Sequence, residues 1–203
     1  MKLFHSPASP YVRKVMVVLH ETGQQDDVTL VPAMGTALDP GTMPVAHNPL
    51  GKLPTLERDG AGALYDSRVI CCFLDDRGEG RLYPPAPALW ETLTLEATAD
   101  GIMDAAILMV YEHRLRPPEL VSTAVLEAQW TKIARALDAL EGRWLSHLAG
   151  PIDIGQIALG CALGYLDFRL GDRDWRRGRD GLAAWEARLA QRPSLQATRP
   201  TAP

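Results

Sequence analysis

Hydrophobic and polar positions follow two different periods along this chain, and the change of period divides it in two. Lys2 to His5 is a short apolar start, followed by the turn residues Ser6, Pro7, Ser9 and Pro10. From Tyr11 to Glu21 the residues Val12, Val15, Met16 and Leu19 recur at helical spacing, and Gly23 supplies a C-terminal stop. The β-branched alternation of Val28 to Pro32 predicts a second strand, and the strand-helix-strand order predicts a parallel pair. Residues 33–51 are rich in Pro, Gly, Ala and Met, with room for one short helix at most. Pro54 to Glu57 and Ala63 to Tyr65 flank an Asp59-Gly60 turn and predict a hairpin. Ser67 to Arg77 then predicts a helix with Val69, Ile70, Phe73 and Leu74 facing inward.

Tyr83-Pro84-Pro85-Ala86-Pro87 is a stiff connector, because consecutive prolines favour extended backbone. Beyond it every periodic segment is helical. Met103, Ala106, Ile107 and Val110 form one stripe, and Leu126, Trp130, Ile133, Leu137, Leu140 and Trp144 another, so two long helices pack as a hairpin across Pro117-Pro118. Asp153 opens a further helix, predicted to be the core helix, in which Gly160 and Gly164 permit close approach of a neighbour. A last helix over about Gly181 to Gln191 buries Leu182, Trp185 and Leu189 and is capped by Asp180, and the tail after Pro193 has no period. The predicted organisation is residues 1–80 as a first domain, 81–88 as linker and 89–203 as an all-helical domain.

Composition adds limits rather than detail. With 46% hydrophobic and 23% charged residues over 203 positions, both halves can bury a core. A formal net charge of -4 and no long basic block leave no electrostatic footprint for nucleic acid or an anionic membrane. The arginines at 173, 176, 177 and 179 are interleaved with Asp172, Asp174 and Asp180, and read as a solvated loop. Three cysteines cannot pair completely, and Cys71 and Cys72 are adjacent, which predicts a reducing compartment and core positions for that pair. No Cys or His spacing suits a metal, and no stretch nears the roughly 18 apolar residues of a membrane span, so the expected address is the cytoplasm.

Three short constellations carry candidate chemistry. Ser9-Pro10 looks like a helix N-cap followed by its first residue; capping accounts for the pair, and the same place puts a hydroxyl at the positive end of a helix dipole, where a thiolate is stabilised. In Asn48-Pro49-Leu50-Gly51-Lys52-Leu53-Pro54, the last proline reads as a strand start or as an edge-strand proline. Tyr65-Asp66-Ser67 is a strand end with two polar residues opening a helix.

Taken in order, these segments closely resemble the glutathione site of the glutathione transferase family, and the resemblance covers nearly the whole chain. The connector, the paired helices and the closing Ala184-Trp185-Glu186-Ala187-Arg188-Leu189 segment are similar to its small bacterial members. The resemblance implies an α/β thioredoxin-like N-terminal domain followed by an all-α C-terminal domain. It implies that Pro54 is cis, turning the Leu53 backbone toward the cysteinyl part of glutathione for strand-like pairing. Asp66 and Ser67 match the acidic-Ser pair that holds the γ-glutamyl end, and Lys52 reaches the glycyl carboxylate. Ser9 falls where the family carries the Ser or Cys facing the sulfur, with Ser6 as the fallback donor; each unit by which the thiol pKa falls is worth about 1.4 kcal/mol.

Serine rather than cysteine at 9 favours conjugation over thiol reduction, since only a thiol forms a mixed disulfide with glutathione. The implied enzyme presents glutathione, as co-substrate and without metal, to a small hydrophobic electrophile lined by Met103, Ile107 and Tyr111 at a cleft between the halves. Asp100 and Asp104 on the same helix have no assigned role. A symmetric homodimer is implied as well. The rival readings are a transferase-like binding or regulatory protein and a glutathione-dependent thiol reductase or peroxidase. One departure concerns the helix at 153, where Asp153 and Gln156 replace the family's Ser or Thr cap and its Asp, and are expected to reproduce the capping box.

Overall fold

The computed structural model describes residues 1–202 and resolves into two compact units, one of residues 1–85 together with the segment from Pro193 onward, the other Ala86–Arg192. In the first unit β1 (Lys2–His5), α1 (Pro10–Glu21) and β2 (Thr29–Pro32) precede a hairpin of β3 (Thr55–Arg58) and β4 (Ala61–Leu64), then α2 (Ser67–Arg77). The sheet order is β2-β1-β3-β4. β1 pairs parallel with β2 and antiparallel with β3, and Leu3 stands opposite Leu56 with both side chains fully buried. One apolar sheet face is thereby closed by α1 and α2 through Val15, Val18, Ile70 and Leu74.

α2 has the predicted bounds but a different phase. Ile70, Cys71, Leu74 and Asp75 are buried, whereas Val69 is 48% exposed and Cys72 is exposed, which corrects the expected inward positions of both. Asp75 occupies the core face in their place: its carboxylate accepts from the Leu82 and Tyr83 amides at 3.1 and 3.2 Å. A buried carboxylate on the core face hides that face from a hydrophobicity count. The segment after residue 192 also differs from expectation. Pro193–Ala197 forms a short helix, α8, that belongs to the first unit rather than the helical one. Its Leu195 carbonyl accepts from the Arg13 guanidinium at 3.1 Å, and Ser194 donates to Glu21, so both halves of α1 are tied to it.

The second unit is helical throughout: α3 (Ala88–Leu115), α4 (Thr123–Arg143), α5 (Leu145–Leu148), α6 (Ile154–Arg169) and α7 (Asp180–Leu189). α6 is the core helix, buried along most of its length and packed chiefly on α3. Gly155 makes that packing possible, because a Cβ there would lie 2.8 Å from both the Thr92 carbonyl oxygen and Leu95 Cβ. Asp153 caps α6, one carboxylate oxygen accepting from the Gln156 amide at 2.8 Å, the other from Thr92 Oγ1 at 2.8 Å and meeting His147 Nε2 at 2.7 Å. Gln156 donates its side chain to the Pro151 carbonyl instead of reciprocating to the cap residue.

Two further expectations are corrected in this unit. Asp180 is the first helical residue of α7 and not its cap; Glu141 of α4 does that work, accepting from the Gly181 and Leu182 amides at 3.0 and 2.7 Å. The arginine-rich segment is not a loosely solvated loop. Arg173 pairs with Glu127, Arg176 with Asp167 and Glu186, and Arg179 with Asp138, each within 2.9 Å, so the segment ties α4, α6 and α7 together. Its paired carboxylates hold the Arg173 and Arg176 guanidinium groups still more firmly in the charged form.

Candidate functional site

The strand register decides which loops meet. β1 runs antiparallel to β3 with Phe4 opposite Thr55, so the C-terminal end of β1 and the N-terminal end of β3 share the edge of the sheet that is formed by strand ends. β3 runs antiparallel to β4 with Leu56 opposite Leu64, which brings the C-terminal end of β4 to the same edge. Three connections therefore converge there: residues 6–9 entering α1, residues 51–54 entering β3, and residues 65–66 entering α2. They contain Ser9, Lys52, Leu53, Pro54 and Asp66, with Ser67 following as the first residue of α2, drawn from sequence positions almost sixty residues apart.

Ser9 is the N-cap of α1, with extended backbone, and Pro10 follows as the first helical residue. Its Oγ accepts from the Val12 amide at 3.3 Å, and its own amide donates to the Ser6 carbonyl at 3.1 Å. An oxygen used as acceptor in this way retains its O–H for donation to a neighbouring anion. His5, the last residue of β1, is held neutral near pH 7 because partial burial lowers its pKa. It therefore adds no fixed charge beside the turn.

The Leu53–Pro54 peptide bond is cis. The β1–β3 ladder ends at Thr55, so the Leu53 backbone lies past the last strand pair. Asn48, which in the sequence reads only as a turn marker, shapes this approach. Buried almost completely, it accepts from the Leu50 amide at 3.0 Å and donates to the Lys52 carbonyl at 3.0 Å and Thr55 Oγ1 at 3.3 Å. Thr55 Oγ1 donates to the same Lys52 carbonyl at 3.0 Å. Gly51, at φ +58°, takes the left-handed turn the loop needs. The Lys52 side chain is left exposed.

Asp66 caps α2, its Oδ1 accepting from the Arg68 amide at 3.0 Å, and its side chain is otherwise well exposed. Ser67 is buried as the first residue of the helix. The edge thus gathers two helix N termini, each a source of unpaired N–H groups and partial positive charge, with one exposed carboxylate and one exposed ammonium. Such a set suits a zwitterionic, extended peptide with more than one carboxylate.

On α3 the expected electrophile contacts separate. Met103 is fully buried in the core of the helical unit and offers no surface, whereas Ile107 and Tyr111 are half-buried. Asp100 is buried and Asp104 exposed, and both are engaged in interactions. Among the described residues no group of three or more His, Cys, Asp or Glu side chains is placed to hold a metal, and no helix is long and apolar enough to cross a membrane.

A thioredoxin-type sheet with a cis proline at its edge, followed by a helical unit, is the architecture of one class of glutathione-binding proteins. The family described as "Glutathione S-transferase, N-terminal domain" matches residues 8–77, and "Glutathione S-transferase, C-terminal domain" matches residues 123–188. The chain belongs to the glutathione transferase family. It is 34% identical over 205 residues to the "Uncharacterized GST-like protein YibF" of Escherichia coli (strain K12), with 98% of both chains covered. A glutathione transferase family member from Pseudomonas fluorescens Pf-5, solved with bound glutathione, is 49% identical, has a TM-score of 0.95, and matches over 99% of each chain. A structure from the same organism with bound S-(propanoic acid)-glutathione is also 49% identical, with a TM-score of 0.90 over the full length of both chains.

Proposed function

We propose that this protein is a glutathione S-transferase that binds glutathione along the shared sheet edge and activates its thiol at Ser9. The observation that carries the reading is the convergence, by strand register, of the Ser9 turn, the Leu53–Pro54 bend and the Asp66–Ser67 helix start. Leu53 pairs through its backbone with the cysteinyl residue, as an added strand would. The N terminus of α2 with Ser67 takes the γ-glutamyl carboxylate, Asp66 takes its ammonium, and Lys52 takes the glycyl carboxylate.

A free thiol of pKa about 8.5 is mostly protonated at neutral pH. The Ser9 hydroxyl, donating to the sulfur, and the N terminus of α1 favour the thiolate, which then attacks a small hydrophobic electrophile. Ile107 and Tyr111 supply apolar contact to that electrophile, and Met103 supports them from the core. The thioether S-(propanoic acid)-glutathione bound by the Pseudomonas fluorescens relative is the type of product such an attack leaves. A homodimer in the cytoplasm completes the reading; sedimentation and cell fractionation test those two points.

The ultraviolet absorbance of the thiolate, followed as glutathione is titrated into the protein, tests the central step. A lowered thiol pKa in the wild type, lost in Ser9→Ala together with conjugation while glutathione affinity stays largely intact, is the expected result. Undiminished turnover by Ser9→Ala rejects Ser9 as the activating group. Binding without ionisation in the wild type identifies a glutathione-binding protein with little catalysis.

A further inference from the structure

The bend between α5 and α6 and the last turns of α7 form a cavity of about 390 Å³ that lies wholly within the helical unit and shares no residue with the sites proposed for glutathione and its electrophile. Leu148 and Leu189 line it as buried apolar walls, and Ile152 as a half-buried one. Arg188 stands exposed in the last turn of α7, and Arg192, half-buried and engaged in an interaction of its own, follows four residues on. Among the described residues no carboxylate lines the cavity. Those nearest in sequence are committed elsewhere: Glu186 to Arg176, and Asp153 to Thr92, His147 and the Gln156 amide.

A helix C terminus favours arginine, and that alone accounts for Arg188 being there. It does not account for the polar atoms of the lining. Gln156 and Trp185 face the cavity at only 3% and 5% exposure. Gln156 Nε2 donates to the Pro151 carbonyl at 2.6 Å, which fixes the amide and leaves Oε1 unused; the Trp185 indole N–H likewise has no partner among the described residues. Neither atom is sealed in protein, so the little of these two side chains that solvent reaches includes an unpaired acceptor and an unpaired donor. A few such groups set among apolar walls are the mark of a ligand site rather than of a packed surface. The charge is available too: Arg173, Arg176 and Arg179 are each paired with a carboxylate of this chain, whereas Arg188 pairs with none among the described residues.

We propose that this cavity binds a small aromatic carboxylate, its acid group held by Arg188 and the Trp185 indole N–H and its ring laid against Leu148, Ile152 and Leu189. The guanidinium fork matches the two carboxylate oxygens, and Arg192 adds positive charge to the same opening. Gln156 Oε1, which repels a carboxylate, accepts instead from a hydroxyl or N–H on the ring. The volume falls at the small end of ligand pockets, enough for a bicyclic acid. The site needs neither glutathione nor turnover and does not depend on the transferase reading.

The matched pair indole-3-carboxylate and indole-3-carboxamide tests this, with the indole N–H resonance of Trp185 in isotope-labelled protein, assigned by its loss in Trp185→Phe, as the local readout. The acid is expected to move that resonance to saturation with a Kd on the order of 0.1 mM, the range of small and partly buried ligands. The amide is expected to bind about tenfold more weakly, as the loss of a charge-assisted contact requires. In Arg188→Gln, a change at an exposed position, the acid falls to within about twofold of the amide while the amide is unaffected, and Arg188→Lys restores part of the difference. Saturating S-hexylglutathione is expected to leave the titration unchanged. A Trp185 resonance that does not move with the acid, or equal affinity for acid and amide in the wild type, overturns the proposal. Binding that S-hexylglutathione competes away places the acid in the electrophile site and overturns it as well.

Discussion

Two side chains near the sheet edge bear on the stability of the proposed glutathione site. Asn48 uses both donor and acceptor functions of its amide to tie Leu50, Lys52 and Thr55 into one turn ahead of the cis proline. Asn48→Ala takes a partner from the part-buried Leu50 amide and from the buried Thr55 hydroxyl, while the Lys52 carbonyl keeps Thr55 Oγ1, a loss of about 1–3 kcal/mol. Denaturant unfolding is expected to show that loss, accompanied by weaker glutathione binding; wild-type affinity in the destabilised variant separates the loop from the ligand. His5 makes the edge sensitive to acid. Its folded-state pKa lies below the ordinary 6.5 because burial disfavours the imidazolium, so the unfolded chain takes up the proton first. Stability is unaffected by His5 above about pH 6.5 and falls as pH drops from there toward the folded-state value. In His5→Asn the decline across this window is expected to be shallower than in the wild type, and an unchanged slope assigns the acid sensitivity elsewhere.

At the level of elements, the sequence marks helices best where cap and apolar stripe agree. Ser9 before Pro10 and Asp66 before Ser67 announce α1 and α2 to the residue, because the cap is local and its chemistry is visible in the chain. The same residues are the candidate ligand contacts, so the candidate site is legible to the same extent as the caps that carry it. What escaped was supplied from a distance. Asp75 sits on the core face of α2 and accepts from the amides of Leu82 and Tyr83 beyond the helix, and the first amides of α7 are accepted by Glu141, about forty residues upstream. Met103 could not be told from Ile107 and Tyr111 by period, since one stripe of α3 serves both the core and the surface beside it. The borrowed cap yields a direct expectation. Glu141→Ala leaves two amides of α7 without an acceptor and is expected to cost about 1 kcal/mol. Faster amide exchange should be confined to the first turn of α7, and protection unchanged there shows that water or Asp180 replaces the carboxylate.

Chain order and compact unit do not coincide in the molecule as a whole. The chain leaves the first unit at the proline connector, forms the helical unit, and returns from Pro193 to pack α8 on α1. Arg13 is the hinge of that return: its guanidinium is buried and Leu195 supplies the carbonyl that accepts from it, while Thr201 donates its amide to the Pro7 carbonyl at 3.4 Å, two residues from Ser9. A fragment ending at residue 85 lacks these partners, although it holds every strand and every proposed glutathione contact. Deletion of the chain after Arg192 is therefore expected to act on the opposite end of the sequence. It leaves the Arg13 guanidinium without its carbonyl and α1 without its cover, at a cost of about 1–3 kcal/mol for the unpaired charge alone. Hydrogen exchange should quicken along α1 while α6 keeps its protection, and the thiol pKa of bound glutathione should rise because the Ser9 turn has lost its support. Equal loosening of α1 and α6, or none in either, would show that α8 is a passive tail and that the first unit is complete at residue 85.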